Sequence, residues 1–184
     1  SKEIIAILDG DKDFGELTFE DKYGNETKIK IAMPYLSGPA ICELSSFFGL
    51  PATYSWSGGA LSRWQYFDNI MAFCIKQNRM SDFLSYLFSK DKFVDVLRDL
   101  SVKDIQSAHE AILQKVLEQI NSILYFGGHE LRAIGKVYQV CNVGEVVAVA
   151  APAVKIIDRA YIKDLAGRAN KDIDEGNFDS AITK

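Results

Sequence analysis

Hydrophobic and polar residues alternate in the first part of the chain and recur at helical spacing in the rest. The stretches Glu16–Glu20 and Thr27–Ile31 alternate polar with apolar residues, as strands with one exposed face do. Between them, Gly24 and Asn25 form a turn dipeptide. We therefore predict a β-hairpin here, and short strands throughout residues 1–32.

After Pro34 the spacing of apolar residues becomes that of helices. Pro39 suits the first turn of a helix that Gly49–Pro51 would end. Further helices are predicted over about 61–77, 83–88 and 92–100. The predicted buried faces comprise Ile41, Leu44, Phe47 and Phe48 in the first helix, and Trp64, Phe67, Ile70, Met71, Cys74 and Ile75 in the second.

The clearest predicted element is a helix from Val102 to Phe126. Ser101 and Asp104 resemble a capping box at its start, and a Gly-Gly pair supplies a cap at its end. About 25 residues at 1.5 Å each give a length of roughly 37 Å, enough for the spine of a domain. Its apolar side contains Ile105, Ala108, Ile112, Val116, Ile120 and Ile123.

A second hairpin is predicted around Gly135, and a last helix over about 153–174. We therefore predict an α+β fold: a helix-rich single domain, residues 1–175, with a long central helix and two β-hairpins. The remaining residues, 176–184, start a helix that has too few residues to be stable alone.

Composition excludes some functions and leaves others open. The chain has 184 residues, of which 48% are hydrophobic and 25% charged, as in ordinary globular proteins. A net charge of −4 without a basic region argues mildly against a nucleic-acid binder, which must neutralise phosphates. Three widely spaced cysteines fit reduced thiols in the cytoplasm. We expect no membrane span, no signal peptide, no metal site of the usual zinc kind and no cofactor.

A weak enzymatic signal comes from acidic residues around the first hairpin. A metal-dependent nuclease could combine an aspartate with a Glu-x-Lys sequence on adjacent strands. A solvated strand face with alternating charge explains the same residues and is favoured. His109 falls among the apolar positions of the long helix, and His129 follows its glycine cap, so neither histidine is assigned to catalysis. The acidic and basic residues concerned are Asp9, Asp11, Asp13, Glu20, Lys22, Glu26 and Lys28.

The best candidate for a ligand site is the segment 52–64. Glycines permit a close backbone approach, a helix start attracts anions, and aromatic rings can stack on a base. Arg63 could add a bidentate contact. The alternative is a tight turn whose tryptophans fill the core and whose Arg63 pairs with a carboxylate; Tyr35 and Ser37 could join the same surface. The candidate residues are Tyr54, Trp56, Gly58, Gly59, Ser62, Arg63 and Trp64.

Two parts of the chain resemble a known family. Gly176–Lys184 resembles the opening of the helical HEPN-type C-terminal domain of bacterial abortive-infection proteins. Met33–Leu44, followed by Tyr54–Trp64, resembles the N-terminal modules of the AbiJ kind that precede such domains. The resemblance implies that residues 1–175 are a sensor or regulatory domain and that 176–184 begin a truncated HEPN-like domain.

In that family the HEPN domain is a ribonuclease toxin, so the resemblance implies a phage-defence regulator of a HEPN partner in cis. A phage-derived ligand would bind near Arg63. HEPN ribonucleases carry an arginine shortly before a histidine, and neither histidine here has one, so this fragment is not expected to be the enzyme. The alternatives are a nucleic-acid-binding module that targets the next domain and, less favoured, the metal-dependent nuclease.

Overall fold

The computed structural model describes residues 1–55, 61–135 and 137–144, all of which belong to one unit of the chain, Ser1–Val147. The helices are α1 (Lys2–Leu8), α2 (Gly38–Phe47), α3 (Arg63–Lys76), α4 (Met80–Leu87), α5 (Val94–Leu97) and α6 (Val102–Leu124). The strands are β1 (Asp13–Glu20), β2 (Glu26–Ala32), β3 (His129–Ile134) and β4 (Val137–Asn142). Short 3-10 helices, Lys90–Phe93 and Tyr125–Gly127, precede α5 and follow α6. The predicted α+β fold with a long helix and two hairpins is confirmed.

The first hairpin forms where the alternating pattern predicts it. β1 and β2 pair antiparallel, and their last pair before the turn is Glu20 with Glu26. The Asp21 carboxylate closes the turn by accepting the backbone N–H groups of Tyr23 and Asn25, both at 2.8 Å. Gly24 has a φ of +87°, which a glycine adopts without steric cost. The turn is therefore specified by local residues.

The N-terminal residues form the helix α1, so the prediction of strands throughout 1–32 is wrong there. The Ser1 hydroxyl caps the helix by accepting the N–H of Glu3 at 3.3 Å. Ile5, Ile7 and Leu8 are buried. A short continuous apolar run fits a buried strand and a buried helix equally well. Packing of α1 against α3 and α6 decides in favour of the helix.

The helix α6 is the central element of the unit. It packs against α1, α5, both strands of the first hairpin and β3. The Ser101 hydroxyl donates to Asp104 Oδ2 at 2.9 Å, and the same oxygen accepts the Glu20 N–H at 3.3 Å. The start of α6 is thereby tied to the end of β1. The residues of α6 that are fully buried are Ala108, Ile112, Val116 and Ile120.

One α6 side chain hydrogen-bonds to the second hairpin. The Asn121 amide accepts the Leu131 N–H at 2.6 Å and donates to the Leu131 carbonyl at 3.0 Å. β3 and β4 pair antiparallel on either side of Gly135. This confirms the predicted hairpin. The predicted helix over 153–174 and the domain boundary after residue 175 lie outside the described residues.

Three large side chains predicted to be buried are exposed. The exposed fraction is 65% for Phe47, 37% for Trp64 and 61% for Ile75. Neighbouring residues in a helix differ by about 100° in direction, so Phe47 and Phe48 point to different sides of the helix end. Phe48 takes the core position. In α3, Cys74 takes the core position and the neighbouring Ile75 faces solvent.

Candidate functional site

The structure places Arg63 among acidic and carbonyl oxygens from the N-terminal part of the chain. Its Nη1 donates to the Leu36 carbonyl at 2.7 Å and more weakly to the Asp9 carbonyl at 3.4 Å. Its Nη2 lies 3.1 Å from Asp9 Oδ2 and also contacts the Asp11 carboxylate. The guanidinium stacks on the Tyr35 ring, with 4.6 Å between its carbon and the ring centroid. Arg63 therefore joins α3 to the end of α1 and to the segment before α2.

Asp9 is the buried partner in this cluster. The residue has no exposed surface, and the Arg63 side chain is only 15% exposed. Burial raises the pKa of Asp9 above its ordinary value, and the charge of Arg63 opposes that rise. The Asp9 carboxylate also accepts the Asp11 N–H at 3.2 Å. Without Arg63, the buried Asp9 carboxylate would keep an uncompensated charge, so the folded state depends on this ion pair.

The aromatic residues of the candidate site are partly involved in packing. The Tyr54 ring lies against Gly38, where a Cβ atom would be 2.1 Å from it. It also contacts the Tyr66 ring, with 5.5 Å between centroids. The Lys2 ammonium lies over the Trp64 ring, 4.5 Å from the ring centroid. Tyr35, whose ring stacks on Arg63, also lies at this surface, as expected.

The remaining candidate residues divide into two groups. Ser62 precedes α3, and its N–H and hydroxyl both donate to the Gln65 side chain, at 2.7 and 2.9 Å. Trp56, Gly58 and Gly59 lie outside the described residues. Because Arg63 is already paired with two carboxylates, an incoming anion would have to compete with them. Ligand binding at this segment stays a prediction.

The acidic residues of the first hairpin pair with lysines on the surface. Lys28 lies 3.7 Å from Glu16, Lys30 lies 3.5 Å from Asp13, and Lys103 lies 2.7 Å from Glu20. Over the described ranges, no group of three or more His, Cys, Asp or Glu side chains could hold a metal ion. The arrangement is that of a solvated strand face with alternating charge.

His109 belongs to the core. It is 8% exposed, its Nε2 lies 3.0 Å from the Phe88 carbonyl, and its ring meets Phe93 edge to face. Burial lowers the pKa of His109, so the neutral ring is favoured in the folded protein. Its role is structural, as the sequence pattern indicates.

Sequence reasoning missed an apolar groove between α3, α4, α6 and the second hairpin. Its volume is about 400 Å³, and all but one of the described residues that line it are aliphatic or methionine. The signal that could have found it is Ile75, an apolar residue beside a core position that the sequence pattern assigns to the buried face. The lining residues are Ile4, Leu8, Met71, Ile75, Asn78, Met80, Leu84, Ile120, Leu124, Leu131 and Val140.

A tight turn between α3 and α4 positions one wall of the groove. Asn78 has a φ of +54°, and its N–H donates to the Ile75 carbonyl at 3.1 Å. Arg79 donates through Nη1 to the Phe48 carbonyl at 2.9 Å and stacks on the Phe48 ring. Ile75 and Met80, on either side of the turn, both line the groove. The wall is therefore anchored to the core.

One family model matches part of the chain. Residues 68–120 match the model described as "Fungal ubiquitin-associated domain". The matched segment is less than a third of the chain and runs from within α3, through α4 and α5, into α6. No curated protein and no solved structure matches the chain significantly.

This match overturns the identification of the chain as the N-terminal module of a bacterial abortive-infection protein. The matched family is described as fungal and ubiquitin-associated, and the match gives no support to a phage-defence function. The expected partners, a HEPN-like domain in cis with a phage-derived ligand or nucleic acid, are also wrong. The error has a physical cause: the resemblance of a short stretch such as Gly176–Lys184 depends on helix-start and turn residues, which recur in unrelated helical proteins.

Membrane insertion through a helix finds no support in the described part of the chain. Within residues 1–55, 61–135 and 137–144, every helix is too short or too polar to traverse a lipid bilayer.

Proposed function

We propose that this chain binds ubiquitin, and that the apolar groove beside α3 and α4 is the binding surface. The observation that carries the proposal is a coincidence of position: the segment similar to the ubiquitin-associated family supplies six of the eleven described residues that line the groove. Met71, Ile75, Met80 and Leu84 all belong to that segment. We also propose a cytoplasmic location, which three buried free cysteines support.

The chemistry of the groove suits an apolar protein surface. Ile75 is 61% exposed and Val140 is 42% exposed, so both can lose water-accessible apolar area to a partner. Met71 and Met80 are partly buried at the same wall. Methionine side chains are flexible and polarisable, and they are common at surfaces that bind other proteins. Because the turn at Asn78 is already anchored, less conformational entropy of the groove is lost when a partner binds.

The groove also uses residues outside the matched segment. Five lining residues lie outside it: Ile4 and Leu8 of α1, Leu124 of α6, and Leu131 and Val140 of the second hairpin. An excised segment 68–120 would lose these contacts and expose the core face of α6. Binding must therefore be measured with the whole chain.

The test is a titration of the 184-residue protein with monomeric ubiquitin by isothermal calorimetry. A glutamate at an interface residue buries an unpaired charge, so Ile75→Glu should weaken binding at least about tenfold. Val102→Glu is the matched control: Val102 lies in the matched segment, is 88% exposed and does not line the groove. The control should bind ubiquitin as the parent does.

Two outcomes would refute the proposal. Absence of binding by the parent protein at millimolar ubiquitin would remove the function itself. Equal losses in Ile75→Glu and Val102→Glu would remove the groove as the site. Circular dichroism of both variants must match the parent, since both substitutions are at exposed helical residues.

A further inference from the structure

A second cavity lies between α2 and α4, separate from the groove just described except for Leu8, which lines both. Its volume is about 400 Å³, within the range of small-molecule sites. Met33, Leu44 and Leu87 form a buried apolar floor. Glu43 and Lys92 also line it, so the cavity combines an apolar base with one charge of each sign.

Two aromatic rings form a wall of this cavity. Phe47 and Tyr86 lie with 5.0 Å between their ring centroids. Phe47 is 65% exposed, although the neighbouring apolar residues Leu44 and Phe48 are buried. Exposure of a phenylalanine leaves a large apolar area in water. A ligand with an aromatic or aliphatic side chain would cover it.

Glu43 and Lys92 differ in the contacts that their side chains already make. Within the described residues, the Glu43 side chain makes no hydrogen bond and no ion pair, so its carboxylate is available. The Lys92 ammonium lies 3.0 Å from the Asp91 carboxylate and 3.9 Å from the Tyr86 ring centroid. Interaction with Tyr86 is the largest cause of a raised pKa at Lys92, which is therefore charged at neutral pH. An ammonium has three N–H donors, so it can also donate to a further carboxylate.

We propose that this cavity binds a small zwitterion with an apolar side chain, of the class of the free α-amino acids with phenylalanine as the type. Glu43 accepts from the ligand ammonium, and Lys92 donates to the ligand carboxylate. The side chain packs on the floor and against Phe47. This site is independent of the proposed ubiquitin surface.

The test uses three ligands that share the phenylalanine side chain and differ at their charged groups: phenylalanine, N-acetylphenylalanine, which lacks the ammonium, and phenylalaninamide, which lacks the carboxylate. Binding to the 184-residue protein is measured by saturation-transfer NMR. A ligand of this size binds with a dissociation constant on the order of 1 mM. Phenylalanine should bind at least about fivefold more tightly than either analogue, because each analogue leaves one protein charge unpaired.

Variants assign the two charges. Glu43→Gln should remove the preference for phenylalanine over N-acetylphenylalanine, and Lys92→Met the preference over phenylalaninamide. Glu118→Gln is the control, because Glu118 lies on α6 and does not line the cavity. Equal binding of all three ligands, no binding of phenylalanine at about 10 mM, roughly ten times that dissociation constant, or unchanged preferences in both variants would overturn the proposal.

Discussion

Replacement of Arg63 by alanine should destabilise the protein more than any other change at a charged residue discussed above. The substitution removes the donor to the Leu36 carbonyl and leaves the fully buried Asp9 carboxylate without its cation. Breaking a buried ion pair from one side costs about 3–5 kcal/mol. Arg63 retains 15% exposure, so we expect the lower end, about 3 kcal/mol. For a chain of this length that corresponds to a decrease of about 10 °C in Tm.

The assay is urea unfolding followed by circular dichroism, with the midpoint compared at constant slope. Arg98→Ala is the control. Its guanidinium lies 3.5 Å from Asp95 at the surface, with 65% and 90% of the two side chains exposed. Exposed pairs contribute little, so the control midpoint should stay close to the parent value. Similar midpoints for Arg63→Ala and the parent would refute the structural role assigned to Arg63.

A second substitution identifies the cause of that loss. Asp9→Asn removes the buried charge, so the double variant should recover about 1–2 kcal/mol relative to Arg63→Ala alone.

The dependence of stability on pH tests the same cause. Burial raises the pKa of Asp9, so the folded protein retains this proton at a higher pH than the unfolded chain does. Protonation then favours the fold as the pH falls, and the deficit of Arg63→Ala should shrink on acidification. A deficit that grows instead would contradict this assignment.

Three further predictions concern the core. Burial lowers the pKa of His109, so just below pH 6.5 the unfolded chain binds more protons than the folded protein does. The free energy of unfolding should therefore decrease on acidification in that range, and it should decrease less in His109→Gln. A potentiometric or calorimetric pH series measures both. Phe67→Ala should cost about 3–5 kcal/mol because Phe67 is fully buried, whereas Phe126→Ala, at a residue that is 93% exposed, should leave the urea midpoint nearly unchanged. Gly38→Ala should cost about 1–3 kcal/mol, since its Cβ would overlap the Tyr54 ring; an unchanged Tm would mean that the ring moves freely.

Most of the elements that the sequence predicts correctly are specified by residues close to one another in the chain. The Asp21 and Gly24 turn, the Ser101 start of the long helix and its glycine end all depend on residues close in sequence. The helix α1 could not be predicted, because its short apolar run has no periodicity that separates helix from strand. Its conformation depends on α3 and α6, which are distant in sequence.

The candidate site shows a similar division. The sequence pattern places Arg63 at a helix start, and the structure shows the pairing with a carboxylate that was the alternative to ligand binding. The pattern could not reveal that Asp9 lies beside Arg63, because 54 positions separate the two residues. The apolar groove escaped for the same reason: it combines α1, α3, α4, α6 and a hairpin, and each element alone looks like an ordinary core face. Surfaces assembled from several elements are visible only in three dimensions.

The most direct test of ubiquitin binding is methyl-resolved NMR of the 184-residue protein, labelled at methionine and isoleucine, during titration with unlabelled ubiquitin. The account predicts saturable shifts for Met71, Ile75 and Met80, which line the groove. Ile41 is buried in α2 away from the groove, and its signal should not move. Shifts confined to methyl groups outside the groove, or none at all, would contradict the account.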